Sequence, residues 1–91
     1  VGRFRPLCLL APPVRVEVLA PAPEGPPAQF RWQRCTYRVI GCWGPERIET
    51  GWWRGEMVRR DYYGVDTQPP GRFWLFRHLD AGGWFLHGLF E

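Results

Sequence analysis

The chain has three cysteines and two histidines to offer as thiol nucleophiles, bases and soft metal ligands, and no serine. Six residues separate Cys35 from Cys42 and eight separate His78 from His87, while Cys8 lies far upstream. A zinc site needs three or four converging ligands, usually as closely spaced pairs, and these spacings supply none. Nucleophilic catalysis needs a thiol or hydroxyl activated by a nearby base, and no local Cys–His arrangement offers one. Glu46 with Glu49 and Asp61 with Asp66 are the paired carboxylates. Each pair sits among arginines, where ordinary ion pairs account for it. No glycine-rich phosphate loop is present. The chain is therefore not expected to be an enzyme, nor to hold a cofactor, a metal or a disulfide.

What remains is arginine interleaved with aromatic rings. That composition suits single-stranded nucleic acid, whose bases stack on ring faces while arginines track the phosphates. It equally suits a protein interface, where Trp, Tyr and Arg dominate the binding energy. Arg31, Arg38, Arg59 and Arg77 are expected on strand surfaces, joined by Arg54 and Arg60. Trp53 and Tyr63 are the rings expected to stay exposed. Most other rings are needed inside, because a domain this small has little surface to bury.

These side chains must be positioned by strands. Val14, Val16 and Val18 alternate with charged residues, the period of a half-buried strand. Phe30 and Trp32, then Cys35, Tyr37 and Val39, predict a hairpin turning at Gln33-Arg34, without the Gly or Asn that such turns favour. Gly41 and Gly44-Pro45 are expected to end that pair. Arg47–Glu49 reads as a short strand, Thr50–Gly55 as a loop or single helical turn, and Val58–Asp66 as a strand. Phe73–Phe76 is apolar on both faces, so both must be covered. Asp80–Gly83 turns the chain into a last strand, Trp84–Phe90. Gly64 and Gly88 are candidates for bulges or corners. Trp32, Tyr37, Val39, Trp74, Phe76 and Leu86 are the expected core. No segment holds a 3.6-residue period. The expected fold is all-β: a small, highly twisted barrel of six to seven short antiparallel strands. Residues 1–13, with Pro6, Pro12 and Pro13, are expected to form an extended N-terminal arm, and residues 14–91 a single domain.

Ninety-one residues allow one domain. All twelve basic residues are arginine and the net charge is +3, which permits contact with nucleic acid without requiring it. Unpaired, widely spaced cysteines point to a reducing compartment, the cytoplasm. No stretch reaches the length of a membrane span. Val1 in place of Met suggests a piece of a longer protein.

The run Phe30-Arg31-Trp32, Tyr37-Arg38-Val39, Gly44-Pro45-Glu46-Arg47-Ile48, Trp52-Trp53, Arg60-Asp61-Tyr62-Tyr63, Phe73-Trp74-Leu75-Phe76-Arg77 and Trp84-Phe85-Leu86-His87-Gly88-Leu89-Phe90 resembles the C-terminal region of the ImuB family. These are Y-family DNA polymerase homologues of bacterial mutagenesis cassettes. Arg5-Pro6-Leu7 with Leu9-Leu10 resembles the segment that follows their little-finger domain. The resemblance implies a non-catalytic adaptor domain in translesion synthesis and the SOS response to DNA damage. It implies protein partners: a RecA-like cassette protein and an error-prone C-family polymerase. The alternative is a single-stranded DNA-binding module that holds template in the same complex. Family members often carry Gly where this chain has Arg34, and the loop before Trp84 (Leu79 to Gly83) is short here.

Overall fold

Alternating apolar side chains build six antiparallel strands in the computed structural model, which describes residues 8–22, 25–50 and 58–90. They are β1 (Cys8–Leu19), β2 (Gln29–Trp32), β3 (Cys35–Thr50), β4 (Val58–Gln68), β5 (Gly71–His78) and β6 (Trp84–Phe90). None of the described residues is helical. Each strand pairs with its successor, and β1 pairs with β6, so the sheet closes in a ring.

The expected small barrel of six to seven short strands with an extended arm is corrected by this arrangement. The strands number six, and β1, β3 and β4 run to 12, 16 and 11 residues. Only the four-residue β2 joins β1 to β3, pairing with Glu17–Leu19 on one side and Cys35–Arg38 on the other. The architecture is an antiparallel sheet closed in a ring by this short strip. Within the stretch read as an arm, Cys8 and Leu9 already pair with Leu89 and Gly88 as the start of β1.

The strands are longer than expected because residues read as breaks act as bulges. The β1–β6 register slips between Leu9 and Val14, the stretch that holds Pro12 and Pro13. Proline has no N–H to give, and sheet edges and bulges are where it is tolerated. Likewise β3 runs through Gly41 and Gly44-Pro45, slipping register between Val39 and Gly41 and between Trp43 and Glu46. A bulge bends a strand without ending its pairing. Gly44 has φ +109°, and a Cβ there would sit 2.6 Å from the Tyr62 carbonyl oxygen. Only glycine fits that bend.

The hairpin at Gln33-Arg34 is tight. Both residues lie in the left-handed region, with φ of 52° and 66°, as a two-residue primed turn demands. Side chains are disfavoured there by roughly 1–2 kcal/mol per residue. Arg34→Gly is therefore expected to stabilise the chain by about 1 kcal/mol, less glycine's extra unfolded-state entropy. Urea denaturation reads this as a higher midpoint; a lower one would show that the turn carries no strain.

Inside the ring, Val16, Phe30, Tyr63, Val65, Phe73, Leu75 and Leu86 form the core, with Trp32, Tyr37, Val39 and Trp84 packed against it. Phe73 meets Phe30, Tyr37 and Trp32 edge-on, with ring centroids 5.1, 4.9 and 6.0 Å away. Strand β5 is covered on both sides. Its Trp74 and Phe76 face outward into a second aromatic layer with Tyr62, Phe85 and His87. Phe76 is buried in that layer, whereas Trp74 is half-buried. The expected core residues thus divide between two layers.

Candidate interaction surface

The register decides which arginines meet which acids. Arg47, Asp61 and Arg77 stand directly opposite one another on β3, β4 and β5. Asp61 is buried and accepts two hydrogen bonds from Arg47, at 2.8 and 3.2 Å. Arg77 approaches its other side at 3.6 Å. The Arg47 hydrogen bonds hold the Asp61 carboxyl below the ordinary carboxylate range; burial opposes them, and the two guanidinium charges add to them. Arg77 is thereby committed to a carboxylate, and its Nε is buried without an acceptor.

Arg59 grips Asp80 at 2.8 Å, and its carbonyl accepts from the Leu79 N–H. It clamps the turn between β5 and β6. Arg72 binds Asp66 in the same way, at 2.7 Å, and lies over the Trp43 ring.

Arg60 lies in the outer aromatic layer, its guanidinium carbon 4.3 Å from the Phe76 ring centroid. Its Nη1 donates to the Tyr62 hydroxyl at 3.0 Å, and that hydroxyl lies 2.9 Å from His87 Nδ1. Burial, and secondarily the charge of Arg60, push the His87 pKa below its ordinary value. With the proton of a neutral His87 on Nε2, Nδ1 accepts, and the proton order runs from Arg60 to Tyr62 to His87. The ring faces are occupied by other rings: Tyr62 stacks on Trp74 at 4.4 Å, and Trp74 on His87 at 5.3 Å with 9° between planes.

Tyr63, expected to be exposed, is 2% exposed and belongs to the core, beside Trp84. Burial, followed by the Asp61 charge, raises its pKa. Its neighbour Tyr62 points the other way, because adjacent residues of a strand alternate faces. Trp53 and Arg54 lie outside the described residues. Arg31 and Arg38 do share one surface, the outer face of β1–β2–β3. There Arg31 lies opposite Glu17 and Thr36, and Arg38 opposite Gln29 and Gln68. Arg38 donates to Gln68 at 2.9 Å.

The structure thus brings Arg31 and Arg38 together, sets Arg60 apart in the aromatic layer, and absorbs Arg59 and Arg77 into ion pairs. The roles of Arg47 and Asp61, and the exposure of Leu19 and Ile40, were missed. Those roles depend on pairing between distant strands, and only the i, i+2 alternation around Val18 and Val39 hinted at the outward aliphatics. Among the described residues no group of three or more His, Cys, Asp or Glu side chains is placed to hold a metal ion. Cys8, Cys35 and Cys42 are free thiols. No helix of the described residues is long and apolar enough to cross a membrane.

An all-β sheet closed in a ring, with four ion-paired arginines, stacked outer rings and no metal-binding cluster among the described residues, is consistent with a non-catalytic module. The chain is a homologue of ImuB and matches a fragment of that larger protein. It is 40% identical over 102 aligned residues to Protein ImuB of Caulobacter vibrioides, from strain NA1000 / CB15N and from strain ATCC 19089 / CIP 103742 / CB 15. The alignment covers 97% of this chain and 22% of each relative. The chain therefore spans about a fifth of the length of the relatives it matches. No family model matches the chain, and no solved structure does.

Proposed function

We propose that this chain is a non-catalytic, protein-binding adaptor domain of an ImuB-type protein, acting in cytoplasmic DNA-damage tolerance. Its partners in this reading are the RecA-like cassette protein and the error-prone C-family polymerase. One observation carries it above the single-stranded DNA reading. Base stacking needs open ring faces, and the described outer rings spend theirs on one another and on Arg60 and Arg72. Four arginines are likewise within ion-pair distance of aspartates, at 2.7–3.6 Å. An arginine held by a carboxylate has less to offer a phosphate.

The test is binding of the immobilised 91-residue chain to each purified partner and to a short oligothymidine at two salt concentrations. Partner binding is expected, with DNA binding weak at physiological salt. Sub-micromolar oligonucleotide binding that falls steeply with salt, the signature of counterion release, would overturn the adaptor reading.

A further inference from the structure

The positive charge of this chain is unevenly compensated. Arg47, Arg59, Arg72 and Arg77 meet aspartates, and Arg15 and Arg60 lie over rings. Arg31 and Arg38 differ. Arg31 faces Glu17 in register without closing an ion pair, and the side-chain partner of Arg38 is the neutral Gln68. Both are exposed.

The same face carries the two most exposed large aliphatic residues of the described chain, Leu19 at 60% and Ile40 at 59%. Leu19, Gln29 and Arg38 form one cross-strand row. Ile40 follows two residues after Arg38, at the register slip between Val39 and Gly41. A bulge re-aims a side chain, and this one presents a β-branched apolar group to water beside an uncompensated cation. An open groove of about 310 Å³ is lined by Leu19, Gln29, Arg31 and Thr36 together with Glu17, and Val18 and Phe30 border it.

We infer that this outer face of β1–β2–β3, built on Leu19, Arg31, Arg38 and Ile40, docks an acidic, extended segment of a partner protein. The inference rests on the adaptor reading and assigns it a surface. Carboxylates of the segment pair with Arg31 and Arg38, and its apolar side chains cover Leu19 and Ile40. Nucleic acid fits less well: Phe30 and Tyr37 turn inward, both meeting Phe73, and the outward Trp43 of β3 lies under Arg72. No ring face is left here for a base, and aliphatic groups do not replace one.

The probe is a 12-residue peptide of alternating glutamate and leucine, followed by amide NMR on the labelled chain. A lysine–leucine peptide and a 12-nucleotide oligothymidine are the controls. Shifts confined to Leu19, Arg31, Arg38, Ile40 and their cross-strand neighbours are expected from the acidic peptide alone. R31E/R38E and, separately, L19S/I40S should each weaken its binding about tenfold or more, with the rest of the spectrum unchanged. If the oligothymidine shifts the same residues and the peptide does not, the face is a nucleic-acid surface and the inference falls. If the peptide shifts none of them, the inference also falls. Partner binding by the unaltered chain then separates the cases: retained binding leaves the adaptor reading intact, and lost binding removes both.

Discussion

Replacing Phe73 by alanine is expected to cost about 3–5 kcal/mol, the usual range for truncating a buried aromatic ring. Phe73 is 4% exposed and stands where three other rings converge: Phe30, Tyr37 and Trp32. Its neighbours lie on β2 and β3, so the ring ties β5 to the short strip that closes the sheet. A domain of this size has a total stability on the order of 5–15 kcal/mol, so the variant should lose a large share of it and melt well below the wild type. Thermal denaturation followed by near-ultraviolet circular dichroism checks this directly. Trp74→Ala is the comparison. That ring is half-buried in the outer layer, so its loss should cost less than that of Phe73. The opposite order would mean that the outer layer, and not the interior of the ring, carries the fold.

Asp61→Asn is expected to cost about 3 kcal/mol, near the lower end for breaking a buried ion pair, because Arg47 keeps contact with water. The change leaves two guanidinium groups facing each other across a neutral amide. The side chain of Asp61 is 3% exposed, against 56% for Arg47 and 19% for Arg77. Asp66→Asn is the built-in control. Its pair with Arg72 is partly open to solvent on both sides and should be worth less than about 1 kcal/mol. The pH dependence follows from the direction of the shift. The folded carboxyl of Asp61 is held below its ordinary value of 3.8. Its contribution is therefore complete above that value and is lost as pH falls through the folded one. The gap between wild type and Asp61→Asn should be widest at neutral pH and close in strong acid. A gap independent of pH would show that the aspartate acts by shape alone.

The all-β class was legible along the chain. Alternation at Val14–Val18, at Phe30–Trp32 and at Cys35–Val39 is a property of neighbouring residues, and a strand needs nothing further to declare its two faces. The double-sided Phe73–Phe76 run announced a covered outer face as well as a core. Strand length was not legible in the same way. Pro12-Pro13 and Gly44-Pro45 are local breakers, and only the sheet around them reveals that each sits in a bulge of a continuing strand.

The resemblance to ImuB was carried by residue identity, and similarity over nearly the whole chain supports it. The fate of the arginines was beyond any local pattern. Arg47 meets Asp61 across 14 positions, and Arg59 meets Asp80 across 21. A slip of one residue in register would have turned either partner to the opposite face. Tyr62 and Tyr63 show the same division of labour. Composition required that rings be buried in so small a domain. Their adjacency required that the two point to opposite sides. That both sides are covered, Tyr63 by the core and Tyr62 by Trp74 and His87, was decided only when β4, β5 and β6 came together.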